Sequence, residues 1–255
     1  MTFVRSPRVT VYHDAAHAAR VVAARVASAL QHNPSLVLGL PTGHTPIGLY
    51  KDLVRLTASR GLDWSKVTTF NLDEFIGLPP GHPGSYRRFM EEHLFSHINL
   101  RPERINFLNG LAEPRSECRR YEDAIAAAGG IDLQILGIGT NGHIGFNEPG
   151  PELQSRTNRI TLKDSTRRSN ASLFGGDVNA VPREALSMGM ATILQARSVI
   201  LKANGRTKAP CIERVVNGPL TTEMPASFLQ LHHDVELVLD EAAAERLDPE
   251  RVSRG

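Results

Sequence analysis

The fold is decided by residues 35–53, which read SLVLGLPTGHTPIGLYKDL. The opening run, SLVLGL, is almost wholly apolar and of strand length, which is typical of a strand buried on both faces of a sheet. A turn with Pro, Thr and Gly follows it, and the apolar spacing of IGLYKDL is then that of a helix. The stretch therefore predicts a strand, a tight turn and a helix, the repeating unit of an α/β protein.

The same unit recurs along the chain. Further strands are predicted at residues 8–12, 66–71, 131–138 and 198–202, and helices at 15–31 (capped by Asp14), 85–98 and 116–128. Near the end of the chain, residues 227–231 and 236–240 predict two more strands, which could form a late hairpin. Because strand and helix alternate, parallel pairing through right-handed crossovers is expected. We therefore predict an open, mostly parallel, Rossmann-like sheet with helices on both faces, built as a single domain over residues 1–255.

The composition is that of an ordinary globular protein. Its 29 basic and 27 acidic residues are interspersed and give a net charge of +2, which provides no surface for nucleic acid. Cys118 and Cys211 lie far apart without a CxxC motif, so neither a disulfide framework nor a zinc site is expected. Residues 1–14 lack the apolar core of a signal peptide, and no run of about 18 apolar residues occurs. We expect a cytoplasmic protein that does not bind membranes.

The turn after the buried strand is suited to a phosphate group. Thr45 is a good N-cap and Pro46 fits the first helical position, so the amides of residues 42–45 would face outward at the positive end of a helix. The turn lacks the GK[ST] ending of a nucleotide-binding loop, which argues against ATP. The alternative is a helix start that is simply well capped, and this stretch alone does not decide between them.

Two other polar clusters follow predicted strands, at the edge where open parallel sheets bind ligands. Asp73 and Glu74 come just after residues 66–71, and a partly desolvated carboxylate there would suit a general base. The alternative is a carboxylate that caps a turn. Arg206 and Lys208 lie where a helix should begin, and cations oppose the helix dipole there unless an anion is bound. A solvated surface pair is the alternative for these two.

The loop at residues 137–150, GIGTNGHIGFNEPG, contains the G-x-G-x-x-G spacing of a dinucleotide-binding site. Such a site needs a helix that begins at the last glycine, and the Gly and Pro residues that follow prevent one, so no dinucleotide cofactor is expected. The curled loop instead brings His143 close to Glu148, a pair suited to moving protons near neutral pH. The alternative is a structural histidine bonded to the loop carbonyls. No HExxH motif or serine elbow accompanies the pair, so zinc chemistry and a serine nucleophile are poorly supported.

Taken together, these motifs resemble the glucosamine-6-phosphate deaminase family of sugar-phosphate isomerase-deaminases, which is related in fold to 6-phosphogluconolactonase. The matching segments run in family order over about residues 35–240: residues 38–53, 69–79 (TFNLDEFIGLP), 82–86 (HPGSY), 136–150, 155–157 (SRT) and the stretch that ends at Lys208. The resemblance implies the conversion of glucosamine 6-phosphate to fructose 6-phosphate and ammonia, with no metal and no organic cofactor.

The resemblance also implies a role for individual residues. By position, Asp73 is the base that moves a proton between C2 and C1 of the sugar. His143 is the group that opens the pyranose ring, assisted by Glu148 and Asn141. The phosphate would be held by Thr42, Gly43, His44, Thr45 and Lys208. The chemistry of these side chains agrees, because each step of the isomerisation is a proton transfer.

Several positions depart from the family pattern. Asn141 stands where many members carry Asp, which removes a negative charge beside His143. His44 replaces a small residue of the phosphate turn. Ser172 replaces a phosphate-binding arginine, a loss of about 1.5 to 3 kcal/mol unless another cation compensates. The candidates for that cation are Arg167, Arg168 and Arg206.

The segment at residues 150–158, GPELQSRTN, lacks the Ser-Ser pair and the final arginine of members regulated by an activator. We therefore expect no activation by N-acetylglucosamine 6-phosphate. Two alternative functions stay open: deamination of galactosamine 6-phosphate or another amino-sugar phosphate, and a sugar-phosphate-binding regulator on the same fold. The expected partner is a small-molecule amino-sugar phosphate, and the resemblance leaves both a monomer and a homo-oligomer open.

Overall fold

The computed structural model describes residues 7–255. Its strands are β1 (Arg8–Tyr12), β2 (Val37–Leu40), β3 (Thr68–Asn71), β4 (Asp73–Phe75), β5 (Ile105–Asn106), β6 (Leu133–Leu136), β7 (Asn158–Thr161), β8 (Glu184–Ser187), β9 (Ser198–Ala203), β10 (Val235–Asp240) and β11 (Ser253–Arg254). Its α-helices are α1 (Ala15–His32), α2 (Ile47–Arg60), α3 (Tyr86–His93), α4 (Pro114–Ala127), α5 (Asp164–Asn170), α6 (Met190–Leu194), α7 (Ala209–Asn217) and α8 (Glu241–Ala244). The prediction that residues 1–14 do not form a signal peptide falls partly outside the described residues, since residues 1–6 are not among them.

Eight strands form one sheet in the order β11-β1-β10-β9-β6-β2-β3-β5, and every pair in it is parallel. The predicted open parallel sheet is therefore confirmed. A second, antiparallel sheet has the order β4-β8-β7. Because only Leu72 separates β3 from β4, the small sheet holds Asp73 at the carboxyl edge of the large one.

Helices cover both faces of the large sheet, as predicted. Neighbouring side chains of a strand point to opposite faces, and in β10 Leu237 and Leu239 join one apolar cluster whereas Val238 joins another. The first cluster includes buried side chains of α4, α6 and α7, and the second includes those of α1, α2 and α3. Across residues 7–255, no helix combines the length and the apolar character needed to cross a membrane.

The order of the strands positions a crevice. From β2 the chain moves to β3 and β5 on one side, and it returns to place β6 on the other side of β2. The loops that follow β2 and β6 therefore leave the sheet in opposite directions, and a crevice opens between them at the carboxyl ends of the strands.

The strand predicted at residues 227–231 is wrong, because these residues lie in a 3-10 helix over Pro225–Leu231. Proline is tolerated at the start of a helix, and the buried Ala226 and Leu229 have the three-residue spacing of a 3-10 helix rather than the alternation of a strand. The late hairpin is also wrong. Strand β10 lies between β1 and β9 and is parallel to both, whereas a hairpin pairs antiparallel strands.

The predicted cap of α2 is wrong as well. Pro46 occupies the cap position with φ −83° and ψ −5°, the helix begins at Ile47, and no side chain caps it. Thr45 is thus one residue too early to accept a hydrogen bond from the first turn. In contrast, Asp14 caps α1 as predicted by accepting from the amide of His17 at 2.6 Å.

Candidate active site

A cavity of about 390 Å³ occupies the crevice at the carboxyl ends of β2 and β6. Most of the predicted site residues line it, namely Thr42, Gly43, His44, Thr45, Asp73, Asn141, His143 and Lys208. Glu148 lies behind His143, and only 5% of its side chain is exposed. A larger groove of about 830 Å³ runs along α3, and Glu74 is the one sequence candidate among its lining residues. Within residues 7–255, no three His, Cys, Asp or Glu side chains are grouped as a metal site would require.

Asp73 is a buried carboxylate to which no side chain or amide within residues 7–255 donates a hydrogen bond. It is only 6% exposed, and burial, followed by the charge of Glu74, raises its pKa to about 8. A carboxyl group with this pKa takes up and releases a proton near neutral pH, as a general acid–base catalyst must. The loop of residues 137–150 packs against it, since a Cβ added at Gly145 would lie 3.6 Å from Asp73 Oδ2.

Glu74, the neighbouring carboxylate, has the opposite environment. It accepts hydrogen bonds from the amides of Phe75, Tyr86 and Arg87 at 2.8 to 3.1 Å and from Ser85 Oγ at 2.7 Å. Burial raises its pKa, although these hydrogen bonds oppose the increase. Of the two alternatives for this pair of carboxylates, Glu74 therefore satisfies the start of α3, and Asp73 stays free for chemistry.

The loop of residues 137–150 brings His143 and Glu148 together, as predicted. His143 Nδ1 lies 3.6 Å from Glu148 Oε2, an ion-pair distance. Asn141 Nδ2 donates to the same oxygen at 2.9 Å, and Thr166 Oγ1 donates to Oε1. Burial opposes the ionisation of Glu148, but the neighbouring imidazole of His143 and the hydrogen bonds from Thr166 and Asn141 outweigh it and lower its pKa. The loop thus sets an ionised carboxylate behind the imidazole.

The glycines of this loop serve the imidazole rather than a dinucleotide. A Cβ at Gly139 would lie 2.3 Å from His143 Cε1, so only glycine leaves room for the ring. Gly142 has φ +88°, and a Cβ there would lie 2.0 Å from Met224 Sδ. After Gly142 the chain forms no helix before α5, which begins at Asp164. The helix that a dinucleotide-binding site requires is therefore absent from this part of the chain.

The phosphate turn, residues 42–45, presents free amides to the cavity. Gly43 has φ +91°, a conformation that glycine adopts without strain. The amides of Gly43, His44 and Thr45 donate to no acceptor within residues 7–255. With the N-terminus of α2 directly behind them, they offer hydrogen-bond donors and partial positive charge to an anion.

Two lysines flank this turn. Lys208 Nζ donates to the carbonyl of Ile138 at 2.7 Å and lines the cavity, and burial lowers its pKa. Lys202, at the carboxyl end of β9, is only 3% exposed and reaches the carbonyl of Thr45 at 3.4 Å and Asn204 Oδ1 at 3.1 Å. Sequence reasoning passed over Lys202, although a lysine at the end of the apolar run SVILK was a visible signal.

The arginines considered as substitutes at position 172 do not reach the cavity. Arg167 is buried and donates to the carbonyls of Val178 and Val181. Arg206 forms an ion pair with Glu245 at 2.9 Å. Arg168 is exposed on α5, and like the other two it does not line the cavity. None of these three candidates therefore supplies a cation to the cavity, because each side chain has other partners or faces solvent.

Two side chains that sequence reasoning did not select also line the cavity. Tyr86 lies at the start of α3, and its hydroxyl donates to Asn170 Oδ1 at 2.9 Å. Thr166, on α5, reaches Glu148. Tyr86 belongs to the HPGSY segment and could have been selected from it, whereas nothing in the local sequence of α5 indicated Thr166.

The sequence of the chain matches the model of the family described as glucosamine-6-phosphate isomerases/6-phosphogluconolactonase over residues 12–239. The chain belongs to this family. It is 50% identical over 231 residues to glucosamine-6-phosphate deaminase 2 of Bacillus subtilis, which covers 89% of this chain and 92% of that one. It is likewise 50% identical over 227 residues to glucosamine-6-phosphate deaminase 2 of Giardia intestinalis, covering 89% of this chain and 86% of the relative.

Solved structures agree with this membership. A monomeric glucosamine-6-phosphate deaminase superposes with a TM-score of 0.90 at 40% identity, over 93% of this chain and 99% of that one. A 6-phosphogluconolactonase from Trypanosoma brucei superposes with a TM-score of 0.74 at 18% identity, over 95% of this chain and 99% of that one. At that identity the second comparison shows the shared fold alone.

Proposed function

We infer that this protein converts glucosamine 6-phosphate and water to fructose 6-phosphate and ammonia. The observation that carries this inference is the placement of a free, buried carboxylate, Asp73, in the same cavity as the His143–Glu148 pair and a turn with free amides. The relatives that share about half of its residues are named for this activity. A module that only bound a sugar phosphate would have no use for a desolvated base at this place.

The groups that line the cavity orient the substrate. The phosphate is held by the amides of Gly43, His44 and Thr45, with Lys208 beside them, because these groups supply donors and positive charge. The sugar then extends toward Asp73 and His143. Binding energy from the phosphate, which does not react, holds the reacting carbons against these two groups.

The first step is opening of the pyranose ring. The O1 hydroxyl loses its proton, the bond from C1 to the ring oxygen breaks, and that oxygen gains a proton. We assign this transfer to His143, since an imidazole both accepts and donates protons near neutral pH. The ionised Glu148 stabilises the protonated imidazole while the proton is on the ring nitrogen.

Asp73 carries the isomerisation. Its carboxylate takes the proton from C2, and the electron pair of that C–H bond forms the double bond between C1 and C2. The π pair of the C1 carbonyl moves to O1, which takes a proton from solvent and completes an enolamine. The same carboxyl group returns the proton to C1, which leaves an iminium group at C2. Water adds to C2 and ammonia leaves, so that the products are a ketose phosphate and ammonia. Asp73 therefore performs both proton transfers at carbon, and solvent supplies the proton for O1 and the water that replaces ammonia.

Several features of the whole protein belong to this proposal. Residues 1–255 act as one domain in the cytoplasm without a metal or an organic cofactor, and the substrate is the one small-molecule partner. N-acetylglucosamine 6-phosphate does not activate the enzyme, because residues 150–158 lack the Ser-Ser pair and arginine of regulated members. A substrate saturation curve that sharpens or shifts on adding N-acetylglucosamine 6-phosphate would contradict this part.

The test is direct. The purified protein is incubated with glucosamine 6-phosphate and, in parallel, with galactosamine 6-phosphate, and the ammonia and ketose phosphate released are measured. We expect equal amounts of both products from glucosamine 6-phosphate. Ammonia released from galactosamine 6-phosphate alone would show that this sugar is the substrate instead. If neither sugar phosphate releases ammonia, the deaminase function is refuted.

A further inference from the structure

Two residues that are distant in sequence meet at the rim of the cavity. His44 Nε2 lies 3.4 Å from Ser172 Oγ, and both residues are exposed. His44 lines the cavity itself, and its own amide is one of the free donors of the phosphate turn. The imidazole is therefore attached to the backbone that receives the anion, and its ring reaches the point where the side chain of residue 172 ends.

The positive charges available to an anion in this cavity are few. Of the lysines and arginines that the structure describes, only Lys208 lines the cavity. Its Nζ already donates to the carbonyl of Ile138, and Lys202 lies beneath the turn rather than in the cavity. A phosphate dianion bound by one lysine and neutral amides would keep part of its charge unpaired. The histidines that line the cavity are His143, which pairs with Glu148, and His44.

We propose that the imidazolium side chain of His44 binds the phosphate group of the substrate and supplies the second positive charge of this subsite. Ser172 permits this role because its short side chain leaves the space to the ring and offers it a hydroxyl partner. A long cation at position 172 would reach the same point from the 3-10 helix that follows α5, Ala171–Phe174. A positive charge beside the phosphate can thus come from the side chain of residue 44 or from that of residue 172. In this chain it comes from residue 44, in the phosphate turn. The proposal rests on the proposed function, which defines the anion as a sugar phosphate.

The test removes the imidazole of His44 and then restores a positive charge with an arginine at position 172. His44→Ala should raise the KM for glucosamine 6-phosphate by about tenfold, the effect of one charge-assisted hydrogen bond, with kcat nearly unchanged. The inhibition constant of inorganic phosphate, the smallest probe of this subsite, should rise by the same factor. The double variant His44→Ala with Ser172→Arg should regain most of the affinity, because the guanidinium would extend into the vacated space.

Two controls accompany these variants. Ser172→Ala keeps the imidazole but removes its hydroxyl partner, and should raise KM by much less than His44→Ala does. His32→Ala removes another exposed histidine, at the end of α1, and should leave both constants unchanged. His44→Gln keeps a donor without the charge, and its KM should lie between those of the wild type and His44→Ala.

Failure of this proposal differs from failure of the proposed function. If the wild type releases ammonia and His44→Ala leaves both constants unchanged, the role of His44 is refuted and the function stands. A fall in kcat that Ser172→Arg does not rescue would show that His44 only shapes the turn, and would also overturn the proposal. If the wild type releases no ammonia, calorimetry with inorganic phosphate still decides, because equal affinity of the wild type and His44→Ala would refute the role.

Discussion

The cavity has two halves that are built in different ways. In the proton-transfer half, Asp73 and Glu148 are buried and His143 is half-buried, and packing or hydrogen bonds fix the carboxylates. The phosphate half, residues 42–45 with Lys208, relies on backbone amides and on exposed or half-buried cations. Buried, oriented groups lose their function when one atom changes, whereas an anion can be neutralised from several directions. We therefore expect substitutions in the first half to lower kcat and those in the second to raise KM.

The largest effect is expected at Asp73. Asp73→Asn keeps the shape of the side chain but removes the base, so kcat should fall by about a thousandfold and exchange of the C2 proton with solvent should cease. Exchange is measured by NMR in deuterated water. Inhibition by inorganic phosphate should be unaffected, because the phosphate half is intact. Undiminished exchange would show that the base lies elsewhere.

The same variant tests the electrostatic cost of the base. With its pKa raised to about 8, Asp73 stays protonated in the native state up to that pH. In the unfolded chain it ionises above about pH 4. The native state therefore binds more protons between these values, and the free energy of unfolding falls as the pH rises through this window, by up to about 1.4 kcal/mol per pH unit. Asn does not titrate, so urea unfolding at several pH values should show Asp73→Asn gaining stability relative to the wild type. A difference that is independent of pH would contradict the burial argument.

The next largest effect is expected at Glu148. Glu148→Gln removes the negative charge that stabilises the protonated His143, and kcat should fall by about a hundredfold. Thr166→Val is the matched control, since it removes one donor to Glu148 but leaves the charge and the contact with Asn141. In steady-state kinetics, the kcat of Thr166→Val should be well above that of Glu148→Gln. Equal losses would mean that the position of the carboxylate, rather than its charge, controls the imidazole.

In the phosphate half, a backbone change should act on KM. Gly43→Ala places a side chain at φ +91° with no atom within 4 Å, so the strain is conformational rather than steric. The turn amides would shift, and KM should rise by about tenfold with kcat less affected. Gly77→Ala is a matched control, because Gly77 has φ +89°, is equally open and lies outside the cavity. Both variants should lose about 1 to 2 kcal/mol of stability, and equal KM values would contradict a role of the turn in binding.

The smallest effect is expected at Asn141. Its amide donates to Glu148 Oε2 at 2.9 Å. In Asn141→Asp two carboxylates would face each other at this distance, and one of them would stay protonated and replace the lost donor. We expect kcat to fall by less than about fivefold at acid pH, and the loss to grow as the pH rises and the shared proton is released. A loss that does not change with pH would show that the amide acts in another way.

Much of the fold could be predicted because its signals are local. The apolar runs of β2, β6 and β9 and the cap at Asp14 are properties of neighbouring residues, and the structure confirms them. Two local signals were wrong for a physical reason. Thr45 is a good cap by composition, but Pro46 took the cap position. Residues 227–231 have strand-like composition, but packing against the sheet buries them with the spacing of a 3-10 helix.

The residues of the candidate site were predictable from the sequence, but the environment of each side chain was not. The loop composition around residues 137–150 indicated that His143 and Glu148 would lie together, and the structure places Nδ1 and Oε2 3.6 Å apart. The residue types alone did not distinguish the adjacent Asp73 and Glu74, and only the family resemblance assigned Asp73 as the base. Their difference arises from α3, whose amides bind Glu74 and leave Asp73 without a partner.

The sequence by itself determined the alternation of strands and helices, the turns that follow each strand, and the residue types that collect at the carboxyl edge of the sheet. These features depend on spacing and on contacts between close neighbours. Only the tertiary structure decided which carboxylate is desolvated, which arginines are already bound, and that His44 meets Ser172 across 128 positions of the chain. Burial and charge pairing depend on which elements pack together, and that packing is a property of the folded chain rather than of any local stretch.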